Sequence, residues 1–418
     1  MNFTDFNFHP TISAGVVAAG FTHPTPIQER AIPKIMQRCD VLGLAQTGTG
    51  KTAAFGLPIL HQLMNGPRGC VRALIIAPTR ELAEQIHNSL DLLGQQTGLR
   101  SLTVYGGVGI KPQVTKLRNG VEIVVACPGR LLDHIKQGTI NLRQLDLLVL
   151  DEADRMFDMG FLPDIRRIVK SLPIKRQTLL FSATMSKEIR TLAHELLTNP
   201  ETIQVDTVAP AETVSHALYP VPQHLKTNLL LKILEQTETE SVLIFTRTKH
   251  RAKRLGEKLS KCGYRAASLQ GNLSQSRRQS ALDGFRDGKF RILVATDIAA
   301  RGIDVSLISH VINFDVPDTV DAYIHRIGRT GRAARTGKAF TLVSNDDKLM
   351  VRSIERILGT PIDRHQIAGF DYDVPAPKRV AQPQRRPAQP ATRNKLQKNK
   401  PKPRSRTGNK QVAGGRGR

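Results

Sequence analysis

Ala45-Gln-Thr-Gly-Thr-Gly-Lys51-Thr52 is the stretch that decides how this chain is read. It follows a short apolar run, Val41-Leu-Gly-Leu44, and leads into a helix-compatible stretch, Ala53-Ala-Phe-Gly-Leu-Pro58. A strand, a glycine-rich turn and a helix form the context that a phosphate-binding loop requires. Gly48 and Gly50 have no side chain, so the backbone N–H groups of Thr47 to Gly50 can close on phosphate oxygens. The helix that follows turns its positive end toward the anion. Lys51 can reach the outer phosphates, and the Thr52 hydroxyl can hold Mg²⁺. The first position of the general pattern G-x-x-x-x-G-K-[ST] is alanine here, Ala45. Taken alone, the stretch could also be a glycine-rich turn capping a helix.

Outward from this loop the chain alternates. Short runs rich in Val, Ile and Leu end in polar or glycine-containing segments, and helical stretches follow. The first set is Val71–Ala77 before Pro78-Thr79-Arg80-Glu-Leu82, Val121–Ala126 before Cys127-Pro-Gly-Arg130, Leu147–Leu150 before Asp151-Glu-Ala-Asp154, and Thr178–Phe181 before Ser182-Ala-Thr184. Strands alternating with helices predict an α/β fold with a parallel sheet covered on both faces. Such sheets carry their site at the carboxyl ends of the strands, the edge that all these polar segments share with the loop. The pattern pauses over Asp206–Thr213, which reads as a linker, and restarts at Ser241–Phe245, Arg265–Leu269, Arg291–Ala295, His310–Phe314 and Lys338–Val343. The expected organisation is a first domain over 1–207, a linker over 208–218, a second α/β domain over 219–372 and a disordered basic tail over 373–418. The second unit has no phosphate loop of its own, so it is expected to complete the first unit's site across a cleft. Upstream, Thr11–Gly20 reads as a helix, and the two prolines in Phe21-Thr-His-Pro-Thr-Pro-Ile-Gln28 predict a rigid, non-helical turn.

The formal net charge is +25. From Val374 to Arg418 there are fourteen Lys and Arg and no Asp or Glu, which leaves +11 for residues 1–373. A charge of this sign calls for a polyanionic partner, nucleic acid before an anionic membrane. The tail has no amphipathic stripe, which argues against the membrane, and too few apolar residues to offset its ordering entropy. No apolar run reaches the length of about eighteen residues needed for a transmembrane helix, and Met1-Asn-Phe-Thr-Asp5, with no basic region before an apolar core, is not expected to open a secretory signal. Cys39, Cys70, Cys127 and Cys262 are scattered without a C-x-x-C pair. A disulfide framework or zinc site is therefore not expected, and a cytoplasmic location is.

Two clusters have the residue types that nucleotide hydrolysis needs. Asp151-Glu152 ends an apolar run one hundred residues after Lys51. There Asp151 would hold Mg²⁺ through water, and Glu152 would orient and deprotonate the attacking water. The bland reading is a helix cap with acidic first-turn residues. His325-Arg-Ile-Gly-Arg-Thr-Gly-Arg332 packs three arginines and a histidine into eight residues. Arginine makes bidentate contacts with phosphate oxygens, so Arg329 and Arg332 are the candidates for stabilising the transferring phosphoryl group from the second domain.

With these segments in series, the chain resembles the DEAD-box family of ATP-dependent RNA helicases of superfamily 2. Its motifs occur in order over residues 1 to about 345, and the bacterial RhlE-type subgroup looks nearest. The resemblance implies two tandem RecA-like domains, ATP and Mg²⁺ as cofactors, and RNA as partner, with ribosomal or RNA-decay proteins as further partners. Phe21 to Gln28 looks like the family's Q motif, which implies that Phe21 stacks on adenine and Gln28 reads its edge; Phe3 resembles the upstream aromatic. In the family's version of the loop Ala45 is ordinary, and Thr47, Gly48, Thr49, Gly50, Lys51 and Thr52 hold the phosphates. Asp304 resembles the ribose contact. Ser182, Thr184, Asp154 and His325 are implied to couple hydrolysis to domain movement. RNA contacts are implied for Thr79, Arg80, Gly107, Arg130, Thr246, Gly271 and Thr296, a set suited to sequence-independent grip on a sugar-phosphate backbone. Cys127 departs from the usual threonine before Pro-Gly-Arg, a lost hydroxyl at the RNA side.

The mechanism this implies is closure of the two domains by ATP and single-stranded RNA, local opening of a short duplex, and reopening after hydrolysis. The rivals are a translocating DNA helicase and an RNA-binding clamp or annealing chaperone driven by the basic tail.

Overall fold

The apolar run Val41–Leu44 is a strand, β1, and six further strands join it in one sheet. They are β2 (Ala73–Ile76), β3 (Ser101–Val104), β4 (Ile123–Ala126), β5 (Leu147–Leu150), β6 (Gln177–Ser182) and β7 (Glu201–Gln204). The computed structural model describes residues 1–46, 48–205, 214–237, 240–300, 308–331 and 337–376. A second seven-stranded sheet contains β8 (Val214–Pro220), β9 (Val242–Phe245), β10 (Ala266–Leu269), β11 (Ile292–Ala295), β12 (His310–Asn313), β13 (Gly337–Val343) and β14 (Asp363–Arg364). Their spatial orders are β3-β4-β2-β5-β6-β1-β7 and β10-β11-β9-β12-β13-β8-β14. Counted within its own domain, each sheet therefore has the order 3-4-2-5-6-1-7, and every pairing is parallel.

Alternation along the strands packs apolar side chains on both faces of each sheet. Val41, Ala73, Ile75, Val125 and Val149 enter one cluster of the first domain, while Leu42, Leu74, Ile76, Val124 and Leu148 enter the other. The second domain splits Val242 and Ile244 from Leu243 and Phe245 in the same way. Successive side chains of a strand point to opposite faces, so a sheet covered by helices on both sides buries both. Each fully buried Val, Leu or Ile contributes roughly 1.5–3 kcal/mol.

The expected parallel α/β architecture is present, with additions. Strands β3 and β7 lie at the sheet edges, where polar residues break the apolar run: only Ile203 of Glu201–Gln204 is buried. The expected linker 208–218 contains the first five residues of β8, which pairs with β13 over seven residues. Ser215 and His216 interrupt the apolar character of this strand. Residues 206–213 and 377–418 lie outside the described residues. The turn expected over Phe21–Gln28 ends early, because Pro26 opens the helix Pro26–Met36. Proline at a first helical position already has helical φ and loses no needed hydrogen bond. Thr25 and Gln28 close a capping box at that helix start.

Candidate active site

The phosphate loop links β1 to the helix Lys51–Leu63. Gly50 caps that helix at φ 91°, in the left-handed region. A Cβ there would also overlap the Gln28 amide, so only glycine fits. Ala45 has no positive φ and is buried. An alanine is therefore tolerated at this first position. Lys51 is buried, and its Nζ donates to Ala45 O at 2.8 Å. Thr49 Oγ1 donates to Gln46 O at 2.8 Å. Thr52 is half-buried in the first helical turn. Thr47 lies outside the described residues.

The upstream helix cap is stitched onto this loop. Thr25 Oγ1 donates to Thr49 O at 2.8 Å, and Gln28 Nε2 donates to Gly50 O at 3.0 Å. Gln28 Oε1 accepts from Thr25 N at 2.9 Å. One N–H and one lone pair of the amide are left for a base edge. Gln28 thus positions the loop as well, a role its place in the sequence did not reveal. The Phe21 ring is 39 % exposed and stacks on Phe3 with centroids 5.8 Å apart.

At the end of β5 both carboxylates are buried. Glu152 caps the short helix Ala153–Asp158 at φ 53°, a strained conformation for a residue with a side chain. Burial pushes the Asp151 carboxyl up to about 6; Lys51 opposes the rise and Glu152 adds to it. Burial acts on Glu152 in the same direction, but Arg155, Lys51 and Arg329 outweigh it and hold Glu152 below the usual carboxylate range. Arg155 Nη1 donates to Glu152 Oε2 at 2.7 Å. Adjacent carboxylates driven apart in this way are suited to different roles. Arg155, three residues after Glu152, escaped the sequence reading, although an i,i+3 pair at a helix start is a usable signal. Asp154 Oδ2 accepts from Ala183 N at 3.1 Å, and Thr184 Oγ1 approaches it at 3.5 Å. Ser182 is fully buried and its Oγ donates to Thr184 O at 2.8 Å.

The second domain delivers Arg329 to this edge. Gln46, Arg155 and Ala183 line a small cavity with His325, Gly328 and Arg329, and a cleft of about 360 Å³ beside it is bounded by both domains. Arg326, the first arginine of its cluster, is structural. It grips both Asp297 oxygens at 2.6 and 2.7 Å, donates to Asp315 O at 2.7 Å, and lies 5.0 Å above the Phe245 ring. Arg332 and Asp304 lie outside the described residues.

Models of two families match: "DEAD/DEAH box helicase" over residues 25–192 and "Helicase conserved C-terminal domain" over 225–334. The DEAD-box ATP-dependent RNA helicase CshA of Bacillus licheniformis is 42% identical over 383 residues, which cover 91% of this chain and 78% of that protein. The chain belongs to the DEAD-box family of ATP-dependent RNA helicases. The ATP-dependent RNA helicase RhlB of Serratia proteamaculans is 41% identical, with coverage of 91% and 92%. S. cerevisiae Dbp5 bound to RNA and ADP BeF3 superimposes with a TM-score of 0.79 at 30% identity, over 87% of this chain and 95% of that one. The two sheets with their helices are thus tandem RecA-like domains, and the chain is an ATP-hydrolysing RNA helicase.

Thr79 caps the helix Arg80–Gly94, its hydroxyl oxygen accepting from Leu82 N at 3.2 Å. Arg80 Nη1 donates to Gln275 Oε1 of the second domain at 3.2 Å. Gly107, at φ 78°, leaves room for that guanidinium, which a Cβ would overlap. Arg130 donates to Val108 O at 3.1 Å. Gly271 is exposed, whereas Thr246 is fully buried and Thr296 nearly so. The Thr246 hydroxyl faces Ala295 O and Thr248 O and does not reach the surface. Cys127 caps the helix Pro128–Lys136 without a side-chain bond. The missing threonine hydroxyl is therefore also a missing cap, worth about 1 kcal/mol. Burial pushes the Cys127 thiol up to about 12, so it stays neutral.

The domains are bridged by a contact with no sequence signal. Arg278 Nε pairs with Glu81 Oε1, Arg278 Nη2 donates to Ala299 O at 2.8 Å, and Gln275 Nε2 donates to Glu81 Oε1 at 3.3 Å. Both partners of the ion pair are nearly buried, so leaving one unpaired is costly. Arg278→Glu is expected to raise the RNA concentration for half-maximal ATPase by about tenfold or more, since about 1.4 kcal/mol of lost closure gives that factor. The exchange Glu81→Arg with Arg278→Glu is expected to restore most of it. An unchanged RNA titration for the single variant would remove this contact from domain closure.

Proposed function

We propose that the helicase hydrolyses ATP when RNA closes its two domains, and that the closed form locally opens short RNA duplexes without sequence preference. The observation that supports this most is the split site: Lys51, Asp151 and Glu152 belong to one domain, while Arg329, which depresses Glu152, belongs to the other. The similarity to Dbp5 bound to RNA and ADP BeF3 agrees with such a closed arrangement.

Each residue has a role that follows from its surroundings. Lys51 at the helix start supports the outer phosphates. Glu152, ionised and held through one oxygen by Arg155, orients the attacking water through the other. Its depressed proton affinity makes it a weak base, which suffices for a loose phosphoryl-transfer transition state. Arg329 carries positive charge to the transferring group. Asp154, bonded to the Ala183–Thr184 backbone segment, links that site to the interdomain cleft. Phe21 and Gln28 set the preference for adenine. Thr79, Arg80, Gly107, Arg130, Gly271 and Thr296 line the RNA path. Ribosome assembly and RNA decay are the cellular settings carried by the motif resemblance, as is the RhlE-type assignment.

Asp151 and Thr52 offer the hard oxygen donors that Mg²⁺ prefers, and the raised proton affinity of Asp151 marks a buried negative charge that Lys51 does not fully compensate. When bound, Mg²⁺ would neutralise phosphate charge. Its binding requires the Asp151 carboxylate, so a proton competes with it. Mg²⁺ affinity in the presence of ADP is therefore expected to be flat above pH about 6 and to fall about tenfold per unit below it. Titrating Mg²⁺ between acid and neutral pH tests this; a flat profile would leave Asp151 out of metal binding.

The deciding experiment compares ATPase stimulation by single-stranded RNA and DNA, in the full chain and in one ending at Val374. RNA-specific stimulation that survives truncation supports the helicase reading. Equal stimulation by DNA would favour a translocating DNA helicase, and loss of all activity on truncation would favour the tail-driven clamp.

A further inference from the structure

The shared strand order gives each strand end of the second domain a counterpart in the first. β1, which opens into the phosphate loop, corresponds to β8; each lies between the sixth and seventh strands of its own sheet. Each leads through a short loop to a helix whose first residue is a lysine, Lys51 in Lys51–Leu63 and Lys226 in Lys226–Gln236. Lys226 is sealed in. It is 1% exposed, donates to Phe314 O at 3.2 Å and Leu342 O at 2.8 Å, and lies 3.6 Å from Asp347 Oδ2. Asp315, two residues past β12 as Glu152 is past β5, is engaged by Arg251 and by Arg247 N. The loop Val221-Pro-Gln-His-Leu225 contains no glycine, and Pro220 and Pro222 have no N–H to donate. In this counterpart of the ATP site the lysine is committed to two carbonyls and a carboxylate, and the loop has neither glycine nor an N–H at Pro220 and Pro222 with which to wrap a phosphate.

The space remains. A cavity of about 500 Å³ opens at the carboxyl ends of β8, β13 and β14, larger than the interdomain cleft of about 360 Å³. Leu218, Val221, Val343, Val351 and Tyr372 make its lining largely apolar, and Lys348, Arg352 and Arg364 stand around it. Arg364 is paired with Glu355 at 3.2 Å. Lys348 and Arg352 are exposed and have no ion-pair partner among the described residues. Leu349, beside them on the helix Lys348–Leu358, is 77% exposed.

An apolar cavity of this size accepts bulky side chains, and its cationic surround selects acidic neighbours. The chain's own stretch from Pro375 to Arg418, with fourteen Lys and Arg and no acid, has the wrong sign. We propose that this groove, a nucleotide-site counterpart stripped of phosphate chemistry, docks a partner-protein segment in which apolar anchor residues are flanked by Asp or Glu. Occupancy would leave the ATP loop and the residues proposed to line the RNA path uncovered.

A fluorescein-labelled peptide with two leucine anchors between glutamates tests this by anisotropy against the full chain. Controls are the same peptide with serine anchors and with lysines for glutamates. Saturable binding is expected for the first peptide alone, weakened about tenfold by Lys348→Glu with Arg352→Glu. The lysine peptide should gain affinity for that double variant, whose RNA-stimulated ATPase should be unchanged. Equal binding of the serine-anchor peptide would reduce the effect to the chain's overall charge and overturn the proposal. Undiminished binding to the double variant, or displacement of the peptide by ADP, would also overturn it.

Discussion

Replacing Arg329 with alanine is expected to lower RNA-stimulated ATP turnover by about 10³–10⁵-fold, the range for an arginine that meets a transferring phosphoryl group. Arg329 is 5% exposed and its charge reaches Glu152 across the domain boundary. Its segment is well anchored: Thr330 Oγ1 donates to Ile308 O and to Ser309 O, and Arg326 is locked onto Asp297. The loss should therefore be chemical, not a local unfolding. Nucleotide affinity measured without RNA should hardly change, since the phosphate loop belongs to the other domain. Arg326→Ala is the contrasting variant. It strips Asp297 of its bidentate partner and removes a buried donor from Asn313 Oδ1 and Asp315 O, so it should lower thermal stability. Turnover of Arg329→Ala within a few-fold of the parent would remove this residue from the chemistry.

Glu152→Gln is expected to reduce turnover by about 10²–10⁴-fold while ATP still binds. Glutamine has the same shape and can accept from Arg155, so the geometry at Arg155 Nη1 should survive. What disappears is the negative charge that orients water. A second effect separates this role from a structural one. The Glu152 charge raises the Asp151 proton affinity, so its removal should lower the Asp151 value from about 6. The acid limb of Mg²⁺ binding should then move to lower pH in Glu152→Gln. An unmoved limb with lost turnover would mean that the two carboxylates do not act on one another.

Much of the site was legible because its chemistry is local. Gly50 is constrained by the helix start it caps, and Lys51 follows it directly. Asp151 and Glu152 stand at the end of an all-buried strand, so their place on the loop's edge follows from parallel topology. The missed elements have the opposite character. The first five residues of β8 fall in the expected linker because Ser215 and His216 break the apolar run; only pairing with β13 makes them part of a strand. That the Thr246 hydroxyl is turned into the protein is likewise invisible in its neighbours along the chain.

By itself the sequence determined two parallel α/β units, and it singled out one glycine-rich loop, a carboxylate pair on the same sheet edge and an arginine cluster in the second unit as candidates for one site. Period-two burial and short-range turn chemistry are written in neighbouring residues. Tertiary structure alone decided which arginine is structural and which catalytic candidate faces Glu152. It also paired Glu81 with Arg278, and it closed the second domain's lysine while leaving a groove above it. These outcomes depend on side chains distant in sequence, nearly two hundred residues apart for Glu81 and Arg278, meeting where burial and charge act together and no local pattern records the pairing.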